Sequence, residues 1–383
     1  MRGKIQPFLQ CLAMAVLCGA QSVTAAEILP DPLVGQDLPE ASRPHWVWVN
    51  DIVFSHLADG KAFLIDGDSG QMLGMLSTGF AFNTLLLPRD ASVILSPEIY
   101  FSRGVRGERT DVVTLYDPLR LSPVGEIPIP PGRAIVVPMH AVSTLTDDDR
   151  FLLLYAFSPA QKVQVVDVKR QAFVGEIEIP GCALVYPTGP RDFFSLCGDG
   201  SALAITLDDE GKPIARRRTQ RLFDPETDPV TEKAVRVGDR WMFASFAGDL
   251  LEVQVGSRHE RLERWSLTTD EQRAESWRPG GMQHLAVHQE RGWLYSLMHQ
   301  GGPDTHKDPG SEVWVYDLKT RRQLKRIPLD GPLTSIAVTR DEQPLMFGLF
   351  IGATELQVYD ATTGEKLRTV GEIGFTPTTL VTY

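Results

Sequence analysis

The sequence predicts an all-β chain folded as one seven-bladed β-propeller with four-stranded blades, and three observations predict it. A run of alternating apolar residues ending in Asp recurs along the chain, a second pair of strands precedes nearly every copy, and one spare strand follows the last. The clearest runs are Phe63-Leu64-Ile65-Asp66, Val113-Thr114-Leu115-Tyr116-Asp117, Val163-Gln164-Val165-Val166-Asp167, Val313-Trp314-Val315-Tyr316-Asp317 and Leu356-Gln357-Val358-Tyr359-Asp360. Period-two alternation rich in β-branched and aromatic residues is the signature of a strand. Degenerate copies at Leu203–Asp208 and Leu251–Val255 bring the total to seven, and the spacing from Asp66 to Asp360 averages 49 residues.

After each Asp comes a short turn and another strand, as in Asp66-Gly67-Asp68-Ser69-Gly70 before Met72-Leu73-Gly74-Met75. Such pairs are hairpins. Upstream of most copies lies a further pair around a polar turn: Thr84–Leu87 with Ser92–Leu95, Leu285–Val287 with Trp293–Leu297, and Ile336–Val338 with Leu345–Gly348. Four strands per roughly 50 residues is the unit of a propeller blade. The first copy has Trp46–Val49, Ala62–Asp66 and Met72–Met75 but no strand before them, whereas Thr379–Tyr383 is left over at the end. The C-terminal strand is therefore expected to complete the first blade and close the ring, removing an exposed sheet edge. Helix is scarce. Thr269-Asp270-Glu271-Gln272 has capping-box spacing and predicts one short helix, in a connection between blades, ending before Pro279-Gly280-Gly281.

Composition narrows the function classes. The 383 residues carry 38 Lys and Arg against 49 Asp and Glu, a net charge of −11, which argues against a nucleic-acid partner. Arg2 and Lys4 precede an apolar run from Phe8 to Leu17 and then small residues ending at Ala26. This reads as a signal peptide over 1–26, removed on export to the periplasm, with an arm over 27–43 and one propeller domain over 44–383. A membrane anchor is the alternative, but the run is far short of the ~20 residues that a span needs. A lipidated Cys18 is another, against which Leu17 directly before it counts. Export removes two of the four cysteines, Cys11 and Cys18. The pair Cys182 and Cys197 that remains is most simply a disulfide in an oxidising compartment, rather than a catalytic or metal-binding pair.

A search for chemistry in the remaining residues finds little. His284 and His288 are four apart, but on a strand their rings would be over ~13 Å apart, so no metal site is expected there. His299 and His306 flank a loop with Asp304, Lys307 and Asp308, whose Gly and Pro content reads first as an interstrand loop. The sequence lacks GxSxG, HExxH, a P-loop, and GxGxxG at a strand-helix junction. Arg216-Arg217-Arg218 reads as a solvated strand edge rather than an anion patch. The seven Trp are scattered mostly at strand positions, where packing explains them better than a quinone platform does.

Three segments carry a resemblance: Phe101-Ser102-Arg103 followed by Arg106-Gly107-Glu108-Arg109-Thr110-Asp111, the Trp277-Arg278-Pro279-Gly280-Gly281 turn, and Thr305-His306-Lys307 before a strand. With Val49-Asn50-Asp51 and Cys197-Gly198-Asp199-Gly200, they make nearly the whole chain after residue 26 resemble the heavy subunit of the quinoprotein amine dehydrogenases, the methylamine and aromatic amine dehydrogenase family. The spacing from Asp51 through Phe54 and His56 to Asp66 looks closer to the aromatic amine branch.

That resemblance implies a periplasmic heavy chain in a two-plus-two heterotetramer with a small, disulfide-rich light chain. The light chain would hold the tryptophan tryptophylquinone cofactor and the catalytic base, leaving no cofactor and no catalytic residue in this chain. A primary amine would be oxidised to an aldehyde with release of ammonia, and electrons would pass to a blue-copper protein. The resemblance also implies that Cys182 and Cys197 form the family's intrachain disulfide and that Phe54 lies near the substrate channel, although blade packing would equally explain a Phe there. Arg103, Arg106 and Arg109, with His306 and Lys307, are candidate partner-contact residues or internally bonded loop residues. Two other readings remain open: a periplasmic propeller acting as a scaffold or binding protein, and a stand-alone enzyme of lactonase or quinone-dependent type.

Overall fold

The computed structural model describes residues 36–80, 84–133 and 139–383. The predicted signal peptide, 1–26, and the predicted arm up to residue 35 lie outside them. Residues Asp37–Tyr383 form one compact unit. Within it, seven antiparallel sheets follow one another along the chain as the blades of a ring. The strands of each blade are lettered A to D from the central channel outward.

Blade 1 takes its strand A from the C-terminus, Pro377–Thr382, followed by Trp46–Asp51, Gly60–Asp66 and Met72–Gly79. Val47 faces Thr382, Trp48 faces Val381 and Val49 faces Leu380, so the spare strand closes the ring as expected. Blade 3 runs over Ser143–Glu178, blade 4 over Cys182–Arg218, blade 5 over Val235–Ser266 and blade 7 over Ser335–Val370. Blade 6, Leu285–Leu333, is preceded by a short strand, Trp277–Pro279, that pairs with the same strand B as its strand A does. Blade 2 departs from expectation. Its sheet holds Ile94–Phe101, Arg109–Tyr116 and Pro123–Ile129, and the predicted strand at Thr84–Leu87 is reduced to a single bridge between Leu86 and Leu95. The Leu85 N–H donates instead to the Asn50 side chain of blade 1, and Pro88 has no N–H to give.

The runs are apolar on both faces because both faces are buried. Val47, Val49, Phe63 and Ile65 pack against blade 7, while Trp46, Trp48, Ala62 and Leu64, one residue out of phase, pack against blade 2. Five further clusters fill the remaining interfaces, so each of the seven contacts between neighbouring blades has its own core. The recurring Asp ends strand C, where its carboxylate accepts backbone N–H groups of the C–D turn. Asp66 takes Asp68 N at 3.0 Å, Asp117 takes Leu119 N at 2.8 Å, and Asp360 takes Thr362 N and Thr363 N at 2.7 Å each. The predicted helix is Asp270–Ala274, between blades 5 and 6, and both hydrogen bonds of its capping box form.

Cys182 opens strand A of blade 4 and Cys197 closes strand B beside it, and the two are joined as a disulfide. Replacing Cys197 by Ser is expected to lower the unfolding free energy by about 3 kcal/mol, through the entropy that the open loop regains when unfolded. Urea denaturation of the oxidised protein and the variant would measure it.

Candidate functional site

Because antiparallel strands reverse direction at each step, the B–C and D–A loops of every blade emerge on one face of the ring, and the A–B and C–D turns on the other. All the residues that the sequence puts forward for partner contact or for the channel sit on B–C loops. Phe54 is on that of blade 1, Arg103, Arg106 and Arg109 on or bordering that of blade 2, and His306 and Lys307 on that of blade 6. The fold therefore gathers them on one face.

The best-built part of this face centres on Asp51, the fully buried last residue of its strand. Its Oδ1 accepts the Val53 N–H at 2.7 Å and the Thr376 N–H at 2.9 Å, and its Oδ2 accepts the Phe375 N–H at 2.5 Å. One carboxylate thus ties the B–C loop of blade 1 to the D–A loop that leads into the closing strand. Two more bonds reinforce the tie, Ile52 N to Thr376 O at 3.3 Å and Phe54 N to Thr376 Oγ1 at 3.1 Å.

The tie holds backbone that is costly on its own. Val53, a β-branched residue, is in the left-handed region at φ 45°, ψ 63°. Gly374, at φ 66°, lies so close to the carboxylate that a Cβ there would fall 1.9 Å from Asp51 Oδ2. What these constraints present to solvent is apolar: Phe54 is 71% exposed and Phe375 69%. Two exposed phenyl rings on neighbouring, tightly bonded loops make this a candidate contact surface. The sequence pointed to Phe54 but missed Phe375 and the role of Asp51, because the partners of the clamp lie 324 residues apart.

The arginine loop divides by function. Arg109 is inward and structural: its Nε and Nη2 grip the two oxygens of buried Asp111 at 2.6 and 2.8 Å, and Nη2 also donates to Arg133 O. Arg103 and Arg106 stand at the exposed tip, where the Arg103 N–H donates to Arg106 O at 3.0 Å and the backbone N–H of Glu108 donates to Ser102 Oγ. On the blade 6 loop, His306 stacks on Phe246 with centroids 3.9 Å apart, and its carbonyl accepts the Gly281 N–H. Burial, with the charges of Lys233 and Lys307, pulls its pKa below the usual histidine value. Thr305 bonds both His299 Nε2 and Gly302 O, so this loop is internally bonded, with Lys307 exposed beside it.

His284 and His288 are separately employed. His284 Nε2 meets Thr231 Oγ1 at 3.1 Å, and burial drives its pKa well down. His288 Nε2 donates to Asp341 O at 2.7 Å. The Arg216–Arg218 run lies on the outer strand of blade 4, and Arg217 and Arg218 there pair with Glu260 and Asp199. Trp277 and Trp314, with ring centroids 5.1 Å apart, do not fit a quinone that an amine has to reach. Both rings are buried with Arg326 packed over them, and their N–H groups are bonded to Glu275 and Glu312.

Known proteins agree with this architecture. The family model for the methylamine dehydrogenase heavy chain matches residues 43–383. The methylamine dehydrogenase heavy chain of Methylophilus methylotrophus is 30% identical over 380 residues, covering 96% of this chain and 93% of that one. That of Paracoccus versutus is 30% identical over 325 residues, covering 84% and 76%. Among solved structures, a putative 6-phosphogluconolactonase from Bacteroides uniformis superposes with a TM-score of 0.60 at 9% identity, over 88% of this chain and 99% of that one, a likeness of fold alone. With the family model spanning every blade and the relatives aligned over most of their own length, the chain belongs to the methylamine dehydrogenase heavy chain family.

Proposed function

We propose that this chain is the heavy subunit of a periplasmic amine dehydrogenase, binding a small light chain on the face that carries Phe54 and supporting oxidation of a primary amine to an aldehyde and ammonia. The observation that carries the reading is the Asp51 clamp, which holds two exposed phenyl rings in a fixed position on the loop face of a chain of this family. The light chain's tryptophan tryptophylquinone supplies the two-electron oxidation, with a blue-copper protein as the acceptor. This chain contributes position. Phe54 narrows the approach to the partner's reaction centre by size, and the clamp prevents the ring from moving aside. Arg103 and Arg106 add positive charge to the same face, suited to carboxylates on a docking partner, whereas Lys307 is flanked by Asp304 and Asp308.

The test is recovery of the tagged chain from its native host. A small, disulfide-rich chain and quinone absorbance should accompany it, and a monomer with neither would refute the reading. In the assembled enzyme, Phe54→Ala is expected to change the ratio of kcat/KM between a bulky and a small primary amine by about 10-fold. An unchanged ratio would remove Phe54 from the channel.

A further inference from the structure

The opposite face of the ring has its own feature, and it does not depend on the light chain. Where the central channel opens there, a cavity of about 530 Å³ is walled mainly by A–B turns and the strand ends beside them, from blades 2, 3, 5, 6 and 7. These place Arg89, Asp147, Asp149, Arg236, Gln289 and Arg340 around one opening. The charges are not all matched. Arg236 Nη1 and Nη2 grip the Asp147 carboxylate, and its Nε donates to Gly238 O at 2.8 Å, so that pair is satisfied internally. Asp149 accepts the backbone N–H of Arg89 at 2.9 Å.

The guanidinium groups of Arg89 and Arg340 have no hydrogen bond or ion pair with any described residue. The two internal segments outside the description, 81–83 and 134–138, contain no acid. Arg89 and Arg340 both line this cavity, and both remain solvent-exposed there. Desolvation by the surrounding protein and the like charge of Arg89 together pull the pKa of Arg340 below the usual arginine value, which is the response of a cation lacking a counter-charge. Among the described residues, two guanidiniums thus share one opening with no ion-pair partner, an arrangement suited to an oxyanion. The geometry points to binding of a small oxyanion, a phosphate or a carboxylate, between Arg89 and Arg340, with Gln289 as a neutral donor beside them.

A second cavity of about 360 Å³ continues inward and shares Arg236, Gln289 and Arg340 with the first. Its walls include Ala286, Val338 and Val381, so an apolar body attached to the oxyanion has room next to it. The anion therefore comes either free or as the head of a small organic molecule.

Calorimetric titration of the chain in its native assembly, at low ionic strength, tests this with inorganic phosphate and phenyl phosphate. One saturable site per chain is expected. Tighter binding of phenyl phosphate assigns the site to an organic anion, and equal affinity assigns it to the free ion. Arg340→Gln and Arg89→Gln should each weaken binding at least about 10-fold, whereas Arg218→Gln on the outer strand of blade 4 should not. Arg340→Gln should also leave the melting temperature unchanged or raise it, since it removes a repelled charge, and should abolish the upward shift that phosphate gives the parent. Absence of saturable binding to the parent protein, or an Arg89→Gln/Arg340→Gln double variant that binds like the parent, overturns the proposal.

Discussion

Deletion of residues 377–383 is expected to leave no soluble, folded chain. This strand is the innermost of blade 1, and its loss opens the ring where it pairs with Trp46–Asp51. Leu380 leaves the core between blades 1 and 7, and Trp48 and Val49, both buried, lose the strand that covers their backbone. Neighbouring blades lose partners as well. Ser335 Oγ donates to Thr378 O at 2.6 Å, and the Gln283 side chain of the blade 5–6 connection acts as a substitute strand, accepting Leu380 N–H at 2.9 Å and donating to Leu380 O at 3.1 Å. Losses on this scale exceed about 5 kcal/mol, the lower end of what holds a domain together. The uncovered edge of Trp46–Asp51 would then be free to pair between molecules. Tyr383→Phe is the mild counterpart. It removes only the hydroxyl that accepts Trp48 Nε1–H at 3.0 Å and should cost about 1 kcal/mol. Soluble yield and circular dichroism distinguish the two, and a truncated chain that stays soluble with native ellipticity would show that ring closure is dispensable.

Closure was legible in the sequence because six of the seven blades repeat the same local device. The Asp that ends strand C is needed for its side chain, which accepts turn N–H groups in blade after blade, so the device recurs every 49 residues or so as a visible pattern. Strand A of blade 2 was misjudged because a sequence shows apolar alternation but not which blade receives the Leu85 N–H. The candidate site was legible only in part for a related reason. Its loops do not repeat, and each serves one location. Phe54 was put forward through family resemblance; Phe375, equally exposed in a loop with no distinguishing motif, was not. The unpaired Arg89 and Arg340 were invisible too, since nothing in the chain order says that two turns about 250 residues apart face the same opening.

Asp51→Ala is expected to be the most damaging single substitution on the loop face. It removes the acceptor of three backbone N–H groups, those of Val53, Phe375 and Thr376, from a site that water does not reach. Hydrogen bonds to a buried charge are each worth about 1.5–3 kcal/mol, and donors left unpaired add their own penalty. Local relaxation of the two loops returns part of this, so a loss of about 3–5 kcal/mol is expected. Val53 then has no reason to stay at φ 45°, and Phe54 and Phe375 lose their fixed positions. Asp51→Asn separates geometry from charge. Its one remaining oxygen can still serve Val53 and Thr376, but its NH2 would confront the Phe375 N–H, so the D–A loop should loosen while the B–C loop holds. Gly374→Ala reaches the same clamp from the other side, pushing a methyl into Asp51 Oδ2 and straining a residue at φ 66°. Amide hydrogen exchange at residues 53, 54, 375 and 376, with denaturant midpoints, reads all three. If Asp51→Ala keeps both protection and midpoint, the clamp is not what rigidifies this face. If it loses them yet still recovers a light chain with unaltered amine selectivity, rigidity at Phe54 has no part in guiding the substrate.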